Sequence, residues 1–488
     1  MKKTHTMKKL LYIFSFMGLL ITSGCTKDFE EINTNTNAPN SVQPSLLLRQ
    51  VIYDFGEQMS YEGFVAGDLL SQHRTAIDFN LFDRHALKSP QLGGNPWPVF
   101  YINLRDNEIL LNQAQTVETF AVYKGPALIL KAYMAAGLTD LFGDVPYFEA
   151  FNGVNGTVTP KYDLQEEIYM AEGGILDNLE KGIAAINSYD DVITLEGDIL
   201  FDGNLQNWIT FANSLKIKYL LRISSKVDVS SQLQAVFNSG NYFMTNDQNA
   251  IFNFTNTDPN SFRLAQLRVG DFNNFVLSET MEEILLGLND DRTGILFSPF
   301  ANSTSGEFNG LINGINSSQT SIELGNYSLA GSIFREDTSL LDANFLTAWE
   351  TYFNLAEAAE RGLISANAES LYETAVTLAF EYWNTTLPGD YLTGPAAYNA
   401  TGTTPIQQIV TQKWIANIIN GYEGWVEWRR TGFPVFKSVD ASLNDGLIPV
   451  RMPYPAEEEA LNTENYQQAA TATNGNSINA PVWWDEAP

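Results

Sequence analysis

The chain predicts an all-α fold of irregular helical pairs carrying long loop inserts, and three observations carry that prediction. Apolar residues recur three and four positions apart over long stretches, the spacing that lines one face of a helix. These stretches come two by two, joined by short turns, with small residues where neighbours would meet. Between the pairs stand segments rich in Asn, Ser, Thr and Gly with little periodicity. At 488 residues the chain is long enough for a sizeable core, and 12% aromatics against 17% charged residues supply one.

The N-terminus is read as a targeting segment rather than a fold element. Lys2, Lys3, Lys8 and Lys9 precede a short apolar run, Leu10–Ile21, which falls short of a membrane span of ~20 residues. Residues 1–24 therefore read as an export signal. Cys25 is the only cysteine and follows Thr22-Ser23-Gly24. Small residues before a lone cysteine predict lipoprotein processing, with Cys25 carrying the lipid; the alternative is an ordinary secretory signal. Thr22 stands where such sites usually have leucine. Residues 25–43 then form a lipidated tether that begins with the acidic stretch Thr26–Glu31, and 44–488 form one helical domain.

Net charge is −29, and a chain starting at Cys25 would carry 24 bases against 57 acids, or −33. Nucleic acid and anionic membrane surfaces need basic patches, so this balance argues against both as partners. It fits an extracellular protein kept soluble by repulsion.

Helices are predicted over Pro44–Met59, Pro98–Gln115, Lys124–Phe142, Gln165–Asn187, Gln206–Ser224, Phe345–Gly362 and Ala366–Trp383. Lys124–Phe142 has an apolar stripe of Ala127, Leu130, Met134 and Leu138, while Ala132, Ala135 and Ala136 admit a close neighbour. Trp208, Phe211, Leu215 and Leu220 are assigned to the core. The inserts are Ser71–Pro96, Thr245–Asn274 and Pro299–Thr338. Phe79, Phe82, Phe252, Phe254 and Phe262 give the first two more apolar content than disorder allows.

Thr404–Pro434 is the densest stretch. Thr404, Pro405 and Gln407 form a capping box with proline at the first helical position. Ile406, Val410, Trp414 and Ile418 follow at four-residue spacing, and Asn420-Gly421 is read as the stop. Trp425, Trp428, Arg429 and Arg430 then crowd into six residues. They make either a sugar-stacking platform or a buried plug in which guanidinium groups hold indole faces and carboxylates, and the spacing favours the plug.

Several motifs now resemble one family. Gln412-Lys413-Trp414, Glu427–Gly432 (EWRRTG), Arg451–Pro455 (RMPYP) with Glu458 and Asn465, and Val482–Asp485 (VWWD) are similar to the C-terminal signature of the SusD/RagB family. Asp28–Pro39 resembles its opening motif, with Thr36 in place of a proline. Leu138–Ala150 resembles its Gly-Asp-x-Pro-Tyr turn, and Trp208–Ser224 its W-x-x-F-A-N-S-L helix. Asn289–Arg292 stands at its Asp-Pro-Arg turn, with Asp291 replacing the proline. The resemblance runs from Cys25 almost to the C-terminus. It implies a tetratricopeptide-like scaffold and a nutrient-binding outer-membrane lipoprotein of the kind found in Bacteroidota. It further implies a SusC-type TonB-dependent transporter as partner, over which the protein closes as a lid. Ligand contacts in the family come from loops whose residues vary, so none is carried over.

The chemistry points the same way. Apart from His5, histidines are limited to His73 and His85, and with Cys25 lipidated no common zinc or iron set remains; no 12-residue calcium loop occurs. No cofactor and no zinc or iron site is expected, and an oxygen-ligated calcium ion stays open. His73, Arg74, Asp83 and Arg84 are read as hydrogen-bonding groups that shape the first insert. No nucleophile elbow, phosphate loop or metalloprotease motif is present, and adjacent acids such as Glu282/Glu283 do not face one another across a helix. The expectation is a binder and not an enzyme. Flat aromatics stack on sugar faces while amides and acids fix hydroxyls. Phe79, Phe82, Trp97 and Tyr327, in or beside the inserts, are the candidate ligand contacts. The ligand is an oligosaccharide or a peptide, and the alternatives are a surface glycoside hydrolase and an adhesive structural protein.

Overall fold

The computed structural model describes residues 42–190 and 192–485. The export signal, Cys25 and nearly all of the 25–43 tether lie outside the described residues. Among the described residues every helix and strand belongs to the unit that begins at Pro44.

The predicted helices form, with shifted ends. They are α1 (Pro44–Glu62), α2 (Pro96–Thr116), α3 (Lys124–Phe142), α4 (Gln165–Met170), α5 (Ile175–Asn187) and α6 (Leu205–Ile223). Further on stand α7 (Ser230–Ser239), α8 (Glu279–Leu288), α9 (Ala348–Glu360), α10 (Ala368–Tyr382), α11 (Pro405–Ala416) and α12 (Glu423–Thr431), then α13 (Ala456–Leu461) and α14 (Thr463–Ala472). Pairs α2/α3, α5/α6 and α9/α10 pack together, and α3 also packs on α5. Trp208, Phe211, Leu215 and Leu220 are all buried in α6.

Three expectations need correction. The single helix over 165–187 is two, α4 and α5, because Gly173 adopts φ +78° between them. Phe345 lies in a strand, not a helix, and α9 begins only after Thr347, whose hydroxyl accepts the Glu350 N–H at 3.3 Å. The α11 helix keeps its capping box but stops at Ala416, before Asn420-Gly421.

That early stop has a packing reason. After α1 the chain continues through a π-helical turn, Gly63–Gly67. A Cβ on Gly63 would lie 2.4 Å from Ile419 O, and one on Gly67 would lie 1.8 Å from Gly421 O. The segment after α11 crosses this turn backbone to backbone, which two glycines permit.

Among the described residues the strands form two small antiparallel sheets that tie the first and second inserts to the segments that follow the second and third. β1 (Arg74–Ala76), β2 (Ala250–Asn253), β3 (Phe275–Leu277) and β4 (Asp342–Leu346) pair as β1 with β3 and β2 with β4. Asp83 locks the first insert to the third. Its carboxylate accepts Thr75 Oγ1 at 2.8 Å, Asn313 Nδ2 at 2.8 Å and Gly314 N–H at 2.7 Å. His73 and Arg74 both hold Asp68, and His73 Nε2 also meets Trp414 O at 2.9 Å. All of these side chains are buried and held by one another, a loop-shaping role.

The Trp-Arg stretch is a plug. Trp425 is fully buried, and Arg429 stacks 4.1 Å over it and 4.8 Å over Trp484. Arg429 also donates to Val450 O at 2.9 Å and Asp140 O at 2.6 Å. Around it runs a buried chain of alternating charge. Lys218 bridges Glu350 (2.7 Å) and Glu423 (3.1 Å), and Arg222 bridges Glu423 (2.5 Å) and Glu427 (2.8 Å). Lys413 (2.8 Å) and Arg430 (2.7 Å) complete Glu427, and Arg430 reaches Glu357 at 2.6 Å. The residues of the QKW and EWRR motifs are therefore the joints between α6, α9, α11 and α12.

Candidate functional site

The first insert ends in a segment, 87–95, that lies across the C-terminal end of α1 and the start of α2. On one side it walls a cavity of about 280 Å³ with Gln58, Tyr61, Glu62 and Arg263. On the other it walls a cavity of about 320 Å³ with Trp97, Tyr454, Glu457 and Tyr466. Pro90 and Asn95 border both, so the segment is a shared wall between two neighbouring cavities, together called the groove below. Its parts come from α1, α2, the second insert, the RMPYP segment and α14.

Local sequence explains how the segment is held. Gly94 takes φ +92°, and its N–H donates to Glu62 Oε2 at 2.8 Å. Tyr422 donates to the same oxygen at 2.6 Å, and Tyr61 OH donates to Leu92 O at 2.6 Å. Arg263 lies 4.4 Å over the Tyr61 ring. Burial raises the Glu62 carboxyl above its ordinary range, against the pull of Tyr422 and the Gly94 N–H. Burial likewise raises Glu57, with Arg263 opposing. Lys88, Gln91 and Asn95 are exposed polar groups of the segment.

In the larger cavity Trp97 contacts Tyr101 at 4.7 Å, Phe142 at 4.9 Å and Tyr454 at 6.2 Å between ring centroids. Asn476 fixes the backbone of Tyr454, accepting its N–H at 2.8 Å and donating to its carbonyl at 3.0 Å. Aromatic faces beside amides, a lysine and carboxylates suit a polar ligand with apolar faces, as a sugar ring has. Among the described residues no group of three or more His, Cys, Asp or Glu converges to hold a metal ion.

The four residues singled out in the sequence do not meet. Trp97 lines the larger cavity, although it is only 9% exposed. Phe82 is 3% exposed, and its ring lies against Gly94, where it supports the segment from beneath. Phe79 is 53% exposed at φ +50°. Tyr327 is half-buried on a second small cluster of Val276, Leu311 and Ile315, which Ile77 also touches. Tyr61, Arg263, Asn95, Tyr454 and Tyr466 escaped sequence reasoning. Tyr454 alone had a signal, its place in the RMPYP motif.

Comparison with known proteins agrees with this architecture. A SusD-like family model, described as "Starch-binding associating with outer membrane", matches residues 36–455. No curated protein matches the chain. Among solved structures, a SusD homologue from Bacteroides fragilis superposes with a TM-score of 0.76 at 23% identity, over 92% of this chain and 100% of its own. A chitin-binding SusD homologue from Flavobacterium johnsoniae gives 0.74 at 20% identity, over 91% and 98%. A chitin-binding protein gives 0.76 at 24% identity, over 91% and 100%. At such identities the likeness is one of fold. Among the described residues no helix is long and apolar enough to cross a membrane. With the family model spanning most of the chain and the same helical scaffold beneath it, this protein belongs to the SusD-like family.

Proposed function

We propose that the protein is a cell-surface lipoprotein, anchored in the outer membrane through Cys25, that binds an oligosaccharide nutrient. It hands the ligand to a SusC-type TonB-dependent transporter. The observation that carries the binding role is the groove around segment 87–95, where two cavities share Asn95 and present aromatic, amide and charged groups together. The family description names starch, and two structural relatives bind chitin, so neutral glucans and chitin oligosaccharides are the first ligands to try. Trp97 is proposed as part of the groove floor. Phe79 is proposed as an outer contact for a longer ligand, because Leu81 N–H donates to groove residue Gln91 at 2.9 Å and so couples the Phe79 turn to the wall; Tyr327, on the separate Val276, Leu311 and Ile315 cluster, is proposed as a contact outside the groove.

The role is reversible binding, with no covalent step assigned to any residue. Peptides could use the same aromatics and amides, so the test includes both. Calorimetry of the purified protein with maltooligosaccharides, chitin oligosaccharides and peptide pools, each checked for product, is expected to give saturable heat with unchanged sugar. Asn95→Ala should weaken Kd about tenfold, or ~1.4 kcal/mol, and Lys88→Ala by less. Heat from peptides alone would move the ligand class, and released fragments would overturn the receptor reading. Pull-down of the intact lipoprotein from detergent should bring a large β-barrel with it.

A further inference from the structure

Most polar groups that build the groove are spent on holding it. Tyr61 OH donates to Leu92 O, Glu62 accepts from Gly94 and Tyr422, and Asn476 holds the Tyr454 backbone. Three side chains that line the smaller cavity, of about 280 Å³, are not spent. Among the described residues Gln58, Asn95 and Arg263 make no side-chain hydrogen bond and no ion pair. Asn95 and Arg263 are exposed and Gln58 is half-buried, so all three are open to a guest.

Local sequence puts each of them there. Gln58 stands three and four residues before Tyr61 and Glu62 on α1, and so on their face of the helix. Asn95 is the N-cap of α2, where Asn ordinarily accepts an N–H from the second or third helical residue. Here the third is Pro98, which has none, and the carboxamide forms no cap bond. Arg263 follows Phe262, which is fully buried against Phe64 and Phe254 and pins the turn. The guanidinium is laid over the Tyr61 ring at 4.4 Å.

These groups suit one kind of substituent better than its rivals. Arg263 offers donors only, while each carboxamide offers a donor and an acceptor. Pro90, Leu92 and Val99 set an apolar wall beside them. A carboxylate would pair with Arg263, but Glu57 and Glu62 already draw on that guanidinium, so a third acid would share one positive charge with two others. A bare hydroxyl leaves the apolar wall uncovered. An acetamido group presents a carbonyl to Arg263, an N–H to a carboxamide oxygen and a methyl to the wall. The cavity lies at the small end of ligand pockets, which run upward from ~300 Å³, so it takes one residue of a chain.

We propose that the smaller cavity is an acetamido-sugar subsite, in which Arg263, Gln58 and Asn95 select an N-acetylated residue of the oligosaccharide over a plain glucose residue. The proposal rests on the groove being the ligand site. The test compares the trimer of N-acetylglucosamine with cellotriose, its counterpart with hydroxyls in place of the acetamido groups. Trigalacturonate is added as the carboxylate rival. Calorimetry on the purified protein is expected to show the N-acetylated trimer bound about tenfold tighter than cellotriose. Arg263→Gln replaces an exposed side chain and should shrink that ratio to about threefold or less. Gln58→Ala should shrink it as well, and melting temperatures check that both variants fold. Equal affinities for the two trimers overturn the proposal and leave the groove standing as a binding site. So does a preference that Arg263→Gln does not reduce, which would place the acetamido group elsewhere. Tighter binding of trigalacturonate, lost in Arg263→Gln, would assign the cavity to a carboxylate instead. If no saccharide binds, maltooligosaccharides included, the receptor reading itself falls and the subsite with it.

Discussion

Gly94 shows how one residue ties the core to the groove. Its φ of +92° lies where side-chain-bearing residues are strained, and an added Cβ would sit 2.5 Å from the Phe82 ring. The same backbone unit donates to Glu62 at 2.8 Å. Gly94→Ala must push the ring aside or lift the segment off the carboxylate, and overpacking of this kind costs about 1–3 kcal/mol. The urea midpoint should fall accordingly, and oligosaccharide affinity should fall with it because Asn95 moves too. A variant with native stability and native affinity would show that the segment is not held as described. Phe82 and Phe79 make the contrast plain. Both are phenylalanines of the same insert, yet one is 3% exposed and the other 53%. No residue-type argument separates them; only the position of Gly94, twelve residues beyond Phe82, decides which ring is covered.

At the scale of elements, the sequence was most legible where the signal is local. The α11 start is a case: Thr404 Oγ1 accepts Gln407 N–H at 3.2 Å, and Gln407 Oε1 accepts Thr404 N–H at 2.8 Å. Both bonds of the capping box were readable from four letters. Thr404→Ala should cost about 1 kcal/mol, measured as a lower urea midpoint, with sugar binding unchanged because α11 does not border the groove. What resisted reading is non-local. The end of α11 is set by the crossing over Gly63 and Gly67, some 350 residues earlier in the chain. The β1–β3 and β2–β4 pairs join segments about 90 to 200 residues apart, and strands of three to five residues leave no periodicity to find. The groove is hidden for the same reason. Tyr61, Arg263, Asn95, Tyr454 and Tyr466 come from five separate stretches, each unremarkable alone.

The whole molecule carries its acids in two opposed settings, and this fixes how its stability should respond to pH. In the charge chain, burial alone would raise Glu357 and Glu427, but Arg430 and its neighbours outweigh it. Glu357 is held down at about 2, and Glu427 well below the usual carboxylate range. A carboxyl depressed in the folded state adds stability above its unfolded pKa, near 4.5, and loses it as pH falls toward 2. Elsewhere burial prevails. Asp83 is pushed up to about 6 despite its hydrogen bonds to Asn313, Gly314 and Thr75, and Asp342 to about 7 despite Asn253. For these the folded state binds the proton more tightly than the unfolded one, so stability rises as pH falls from about 7 toward 4. Lowering the net charge of −29 acts in the same direction by relieving self-repulsion. The urea midpoint should therefore be higher at pH 5 than at pH 7.5, and should drop steeply below pH 4. Asp342→Asn separates the two causes of the upper arm. It removes one buried titration while changing net charge by a single unit, so it should flatten the gain between pH 7 and 5, whereas substituting an exposed acid such as Glu457 should not. A midpoint that falls steadily from pH 7.5 to 5 would mean that the depressed carboxylates of the charge chain dominate throughout, and that the buried aspartates pay no penalty for their charge.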